Sequence, residues 1–595
     1  MSSSGDGCDA VTTADEESFS AWLAEHGALY PKIEWPTRQT VGGVRGTTAR
    51  ADIASGEREM LQIPLKLMMA PPTTEKSEAF GELMRAYDIV PRGSMLSLTV
   101  FLLLEKILKG EASFWHPYIR MLPHPGTTLD WSAAELVELQ DETVHSESQR
   151  LRAQHAVKFH ACFERLRERF PAIVGATKSE SAALGFTAPA WEWCAMNVQA
   201  RCFGRRLPWL ALVPFADSLN HANVATKYDF DVEDNGCFRL FPVGSNSYAQ
   251  GAEVFNSYVA FPPLLSLCAL SLSLSYFLSF FLIPPSYASP PLPSPPLPVF
   301  SLYSYGRRDN RHLLVHYGFA MEGNEHDKMT VRVTLDECAR GAPGVAAAEA
   351  AAKEEEDDGL GAWSSATMVS KRAERCRLLS RRGVCHHGRV TLLLRLGHFA
   401  VDLLDVCRVA VMDDAAVVDA VAPKTDEPKS RGRAPSDGLP ESLELERAAI
   451  AATRAVYTRE LGAFPTTLAE DEALLGEGAR EAESESAGLP PASAPPPRLR
   501  FALHYRMMRK QLIAQQLATL ARLDDLVVAR ISLRPPSECT PMLDAIYYGA
   551  PPPAAAAAAM GRSTTAATVH GGWRGPVAEA WCARITSLEP IVPKV

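Results

Sequence analysis

The sequence has no paired cysteine framework. Its 12 cysteines among 595 residues are scattered, which excludes a disulfide-stapled scaffold and suits a reducing compartment. It also lacks an excess of positive charge. Lys and Arg number 60 against 70 Asp and Glu, a formal net charge of −10, so no whole-chain field favours nucleic acid. The N-terminus, MSSSGDGCDAVTTADEES, has no apolar core and is not a signal peptide. Its acidity argues against a transit peptide, so a cytoplasmic or nuclear location is expected, with the chloroplast left open. Residues 1–17 read as a disordered lead. The sharpest absence is internal: Val254 to Gly306 holds no charged residue, in a chain that is 22% charged.

What is present is enough for two folded units. The chain exceeds one typical domain, and its 47% hydrophobic content supports real cores. Phe19, Trp22 and Leu23 stand at helical spacing in Ser18–Tyr30, with Gly27 as a stop. Val44 to Met69 reads as strand, turn at Ser55-Gly56, then strand. Residues 75–200 read as mostly helical. Ser94 to Pro123 gives an apolar helix ended by Gly110 and then an aromatic packing segment. Thr143 to Phe170 is a charged amphipathic helix. Trp191 to Gly204 (WEWCAMNVQARCFG) places Arg201 near a helix end, where a cation complements the helix dipole. Pro214 to Val224 (PFADSLNHANV) carries Asp217 and the Asn220-His221 pair. Ser304 to Phe319 (SYGRRDNRHLLVHYGF) carries Tyr305, Tyr317 and Phe319.

The ordered series ARCF, LVPFADSLNH, GAEVF, SYG and HYGF resembles the core motifs of SET-domain methyltransferases, in the branch typified by the Rubisco large-subunit lysine methyltransferase. The resemblance covers residues 18–330 well and 330–530 loosely. It implies an α+β fold: a β-rich, pseudoknotted SET domain over 18–330, with a helical insertion at about 75–195. An all-α substrate-binding domain of the Rubisco LSMT type would follow over 331–535, with disordered low-complexity segments and a disordered tail over 536–595. The Val44–Met69 pair would be the N-terminal SET hairpin, whose backbone wraps the methionine end of the cofactor. Val44 stands where that branch usually has a glycine, and Gly42 and Gly43 lie beside it.

By the same resemblance the cofactor is S-adenosylmethionine (AdoMet). Tyr305 would be the catalytic tyrosine, orienting the acceptor amine and the methyl sulfonium. Asn220 and His221 would hold AdoMet, and Arg201 would meet its carboxylate, a task for a planar multi-donor cation. Backbone near Gly43 and Arg45 would line that end. Tyr317 and Phe319 would wall the lysine channel and the adenine pocket. Phe203 would line the channel, and Asp217 would brace the Asn-His turn. Methyl transfer from a sulfonium to an amine is an in-line displacement that requires alignment and a neutral nucleophile, without a metal. An apolar channel beside a positive sulfonium favours the neutral amine. The partner implied is a protein presenting a lysine; a monomer is expected, with no nucleic-acid or membrane partner.

Within the uncharged stretch, Leu264 to Ile283 is long and apolar enough for a transmembrane helix, and a Pro-rich low-complexity run follows it. Yet the stretch interrupts a motif. GAEVFNS before it and YGRRDN after it join into one expected segment. The codons of Ser257-Tyr258-Val259 allow a splice donor, and those of Ser304 an acceptor in the same phase. Residues 258–304 therefore read as a retained intron, with Tyr305 the genuine tyrosine.

Later, Lys328–Leu335 reads as a strand and Cys338–Leu360 as a loop insertion. Thr391–Asp413, Leu443–Leu461 and Leu499–Leu526 read as helices, and Glu470–Pro497 as a polar gap. Cys376, Cys385, His386 and His387 lack zinc-finger spacing, so no metal is expected. Two rival functions stay open: a non-catalytic SET-like binding module, and an integral membrane protein.

Overall fold

The computed structural model describes residues 11–37, 45–124, 126–204, 207–231, 236–256, 308–340, 375–376, 379, 385–386, 389–412, 442–484, 496–532 and 576–588. The chain divides into two compact units, Met1–Leu136 with Asp141–Phe319, and Val137–Gln140 with Ala320–Val595.

The first unit opens with helix α1 (Thr13–Glu25). This helix starts inside the stretch expected to be a disordered lead. The cause is local: Thr12 and Asp15 form a reciprocal capping box, and Asp15 also takes two bonds from Arg120. Strand β1 (Ile33–Thr37) pairs antiparallel with β2 (Gly46–Ala49). Strand β3 (Leu61–Pro64) lies elsewhere, in a sheet ordered β3-β6-β5 with β5 (Thr226–Asp231) and β6 (Cys237–Pro242). The expected Val44–Met69 hairpin is therefore not formed. Its two arms join different sheets because the turn between them is recruited by distant backbone: Ile53 bridges Tyr248, and Gly56 N–H donates to the Pro242 carbonyl. A short parallel ladder pairs β4 (Asn220–His221) with β7 (Phe255–Asn256).

Five further helices of this unit position the site or its support. They are α2 (Met95–Leu104), α3 (His116–Met121), α4 (Glu142–Arg169), α5 (Ala188–Arg201) and α6 (Asn310–Tyr317). The 75–200 region is thus helical as the sequence indicates, and Gly110, at φ +51°, stands where the apolar helix stops. Phe19, Phe101, Phe163, Trp191 and Phe238 share one core. Each such side chain contributes about 1.5–3 kcal/mol on leaving water.

Helix α4 buries His155, whose ring Nδ1 has no partner among the described residues. Burial, then Lys158 and His316, push this imidazole down to about 4. The neutral ring is favoured in the fold, so its stabilisation is complete above the unfolded value near 6.5 and is lost as pH falls from there to about 4. A shift of this size corresponds to about 3 kcal/mol. Urea unfolding from pH 7 to 4 should show His155→Leu losing less stability than the unsubstituted chain, by about that amount. Parallel pH profiles would exclude His155 as the titrating group.

The second unit is not all-α. Strand β8 (Lys328–Thr334) pairs in full antiparallel register with β10 (Arg389–Arg395), and β9 (Cys385–His386) flanks β10. Thr391 to Arg395, the start of the helix expected over Thr391–Asp413, instead lies in strand β10. Its Val390, Leu392 and Leu394 alternate into the core, and Gly397 at φ +72° turns the chain toward helix α8 (Val401–Val411). Ahead of that lies α7 (Leu335–Arg340), and behind it α9 (Leu443–Gly462), α10 (Leu468–Ser484), α11 (Pro497–Ile531) and α12 (Pro576–Ser587). Helix α10 occupies the expected polar gap, because Thr467 and Glu470 cap its start and Asp471 is buried. Helix α12 lies in the expected disordered tail. It is held by Trp581 and Ile585, both buried, and by the Trp581 indole N–H, which donates to Glu446 at 2.7 Å.

Among the described residues no helix is long and apolar enough to cross a membrane. The uncharged stretch 258–304 lies outside the described residues.

Candidate functional site

The segment after β-bridged Ala211 and Leu212 breaks at Phe215. This residue adopts φ +71°, a conformation rare for a bulky side chain and worth about 1–3 kcal/mol of strain. The conformation is imposed by packing. The buried Phe215 ring stacks on Tyr30 at 4.1 Å and meets Trp35 edge-on at 5.8 Å. The consequence is an abrupt turn. It carries Asp217 into the interior and aligns Asn220 and His221 with Phe255 and Asn256 in the parallel ladder.

Around that ladder the expected site residues gather. Asn220 Nδ2 donates to Glu253 Oε1 at 2.8 Å. The His221 ring lies 5.7 Å from the Phe319 ring, tilted by 50°. Burial pushes the His221 imidazole down to about 4, so it is neutral at pH 7. Phe319 reaches this position because Gly318 ends α6 in the left-handed region at φ +82°, a conformation glycine takes without Cβ strain. Tyr317 is buried just before it, 5.8 Å from the His312 ring, and burial raises its phenol. Gln199 Nε2 lies 2.8 Å from His316 Nδ1, tying α5 to α6.

Arg201, the last residue of α5, points to Asp217. Its Nη1 donates to the Asp217 carbonyl at 2.7 Å and stands 3.6 Å from the Asp217 carboxylate. That carboxylate accepts the Tyr118 hydroxyl at 2.7 Å. Burial raises the Asp217 carboxyl, while Arg201 and Tyr118 hold it down. Sequence reasoning missed Tyr118 and Glu253. Glu253 sits within the GAEVF motif, but Tyr118 lay in a segment read only as aromatic packing, with no spacing to flag it.

The side chains of Arg45 and Phe203 make contacts of their own. Arg45 donates to the Met121 carbonyl at 2.9 Å, lies 3.7 Å from Glu16, and covers Trp35 at 5.9 Å, so its side chain fastens α1 and α3. Phe203 is 2% exposed and packs edge-on against Tyr228 and Phe238 at 5.4 and 5.0 Å. Its ring belongs to the aromatic core behind the site. Gly43 and Tyr305 lie outside the described residues. Among the described residues no group of three or more His, Cys, Asp or Glu is arranged to hold a metal.

The site offers a cationic donor for a carboxylate and buried acceptors for an ammonium, the two groups at the amino-acid end of AdoMet. Arg201 has N–H groups beyond those bonded among the described residues, and its side chain is 22% exposed. The Oδ1 atoms of Asp217 and Asn256 are buried acceptors with no partner among the described residues. Such atoms ordinarily meet a ligand or a water.

Residues 370–513 match the model of the Rubisco LSMT substrate-binding family. The chain is 29% identical over 227 residues to the chloroplastic ribulose-1,5-bisphosphate carboxylase/oxygenase large subunit N-methyltransferase of Pisum sativum, covering 38% of this chain and 43% of that protein. It is 23% identical over 326 residues to the actin-histidine N-methyltransferase of Mus musculus, covering 54% of this chain and 44% of that protein. The match thus spans less than half the length of either relative. The crystal structure of the SET domain of LSMT bound to lysine and AdoHcy superposes with a TM-score of 0.48 at 16% identity, over 87% of this chain and 93% of that one. The chain carries a segment matching the Rubisco LSMT substrate-binding family and is similar in sequence to SET-domain protein methyltransferases.

Proposed function

We propose that this protein transfers a methyl group from AdoMet to a lysine side chain of a protein substrate. The observation that carries this reading is the meeting of Asn220, His221 and Phe319 around the parallel ladder, with Arg201 held at Asp217. AdoMet, when bound, supplies an electrophilic methyl on a sulfonium. The chain has to hold it, exclude water and align a neutral amine with the carbon–sulfur bond. Arg201 takes the carboxylate, Asn220 and the neutral His221 face the amine and adenine ends, and backbone near Gly43 and Arg45 lines the same end. Tyr317 and Phe319 form the wall, with Phe203 entering through the core that supports it. Tyr305 orients the acceptor amine through its hydroxyl. With AdoMet bound, these residues would hold the neutral amine in line with the methyl and the sulfur leaving group, and the proton of the methylated amine would pass to solvent.

The C-terminal helices, within residues 370–513, serve to dock the substrate protein. Residues 258–304 are a retained intron that separates Ser257 from Tyr305.

The test uses AdoMet carrying a radiolabelled methyl, incubated with a protein extract and the purified chain in which Ser257 is joined to Tyr305. Acid hydrolysis should yield labelled methyl-lysine, and Arg201→Met should abolish it at low AdoMet. Labelled methyl-histidine would move the acceptor toward that of the actin-histidine relative. No AdoMet binding by this joined form, when folded, would support the non-catalytic binding module.

A further inference from the structure

Three elements of the first unit converge on Asp217: helix α3 through Tyr118, helix α5 through Arg201, and the turn set by Phe215. Tyr118 is 1% exposed, and its hydroxyl donates to Asp217 Oδ2 at 2.7 Å. Arg201 Nη1 bonds the backbone carbonyl of Asp217 at 2.7 Å but stands 3.6 Å from Oδ2, beyond a hydrogen bond. Oδ1 is buried with no partner among the described residues. A carboxylate and a guanidinium this close ordinarily bond in a two-point fork. Here the fork is absent, and the atom that replaces it is the Tyr118 oxygen.

We propose that Tyr118 is a positioning residue for cofactor binding: by holding Oδ2 it keeps Asp217 from chelating Arg201, which leaves the guanidinium N–H groups for the cofactor's carboxylate. This rests on the methyltransferase reading, and goes beyond it by assigning a role to a residue outside the SET motifs. The physical argument is competition. Without the phenol hydroxyl, the buried Asp217 carboxylate keeps no side-chain hydrogen bond among the described residues, and Arg201 Nη1 stands 3.6 Å from it. Taking it satisfies the carboxylate and disables the anion site. The opposite change, removal of the carboxylate charge, frees Arg201 whether or not Tyr118 is present.

The experiment compares binding of AdoMet with binding of decarboxylated AdoMet, which lacks the group Arg201 would meet. Calorimetry is run on the full chain and, in parallel, on the form with Ser257 joined to Tyr305. The joined form, otherwise unsubstituted, should prefer AdoMet and is the background for the substitutions below. Tyr118→Phe should weaken AdoMet binding by about tenfold, the scale of one hydrogen bond to a charged group, while binding of the decarboxylated compound changes less than about twofold. Adding Asp217→Asn to Tyr118→Phe should restore the preference, because an amide does not chelate a guanidinium. Equal weakening of both compounds would show a merely structural role and overturn the proposal, as would an unchanged preference in Tyr118→Phe. Should Tyr118→Phe not fold, Asp217→Asn alone carries the test: the preference should be kept or increased, and its loss overturns the proposal. Failure of the unsubstituted joined form, folded, to bind either compound would overturn the methyltransferase reading itself, a result distinct from all of these.

Discussion

Asp471→Ala is expected to lower the unfolding free energy of the second unit by about 3–5 kcal/mol, the usual consequence of stranding buried charge. Asp471 Oδ1 accepts from Arg506 Nε and Nη2 at 3.0 and 2.8 Å, and its Oδ2 meets the Lys510 ammonium. Asp471, Arg506 and Lys510 side chains are 0%, 2% and 1% exposed. Arg506 also bonds Glu138, through its carbonyl and its carboxylate, and Lys510 bonds Thr466. Removing Asp471 leaves two cations in the interior with only these secondary partners. The Asp471 carboxyl is held below its ordinary value against desolvation, by Arg506, Lys510 and Thr466. Its stabilisation is therefore present above pH 4 or so and is lost as acid titrates it. Hydrogen exchange of α11, followed with urea unfolding, measures the effect in this unit. Replacing all three residues with Leu and Met should recover most of the loss, since a paired buried network seldom outperforms well-packed apolar groups. If the single and triple changes are equally damaging, packing and not stranded charge is responsible.

This network also shows why parts of the fold were illegible in the sequence. Helix α10 reads LAEDEALLGEGAREAES, acidic and followed by a Pro-rich run, so local composition favoured a gap. What makes it a helix with a buried face is a partner 35 residues away in sequence. The same holds for α12, which docks through Trp581 onto Glu446, 135 residues away. The Val44–Met69 arms failed as a hairpin for a similar reason. Thr47 bonds both groups of Val254, and β3 pairs with β6, so long-range pairing overrode a short turn. By contrast, α4, α5, α9 and α11 were legible because helical periodicity and caps are local. The candidate site was read from the sequence as a set of motifs in order. Its geometry was not: the strained Phe215, the Glu253 bond to Asn220 and the Tyr118 bond to Asp217 join residues 33 and 99 positions apart.

The form of the chain with Ser257 joined directly to Tyr305 is expected to bind AdoMet, and the full 595-residue form is not. The structure supports this expectation from both flanks. Asn256, the last described residue before the stretch, stands opposite His221 in the ladder. Phe319, shortly after it, rests on the same His221. Both flanks thus belong to one small site in one unit, and whatever joins them has to return to its starting point. With the stretch removed, Ser257, Tyr305, Gly306 and Arg307 would link Asn256 to Arg308. Five Cα–Cα steps reach at most about 17 Å. With the stretch retained, Tyr258 follows Ser257 in place of Tyr305, and an apolar run then separates the two halves of the site. Calorimetry with AdoMet on both forms decides the matter. Binding by the joined form alone supports the intron and gives Tyr305→Phe a clear use, since that change should then abolish transfer while leaving AdoMet bound. Equal binding by both forms would mean that the stretch is compatible with the site and belongs to the protein. Binding by neither, with both folded, would remove the catalytic reading and leave a module that recognises protein through its second unit.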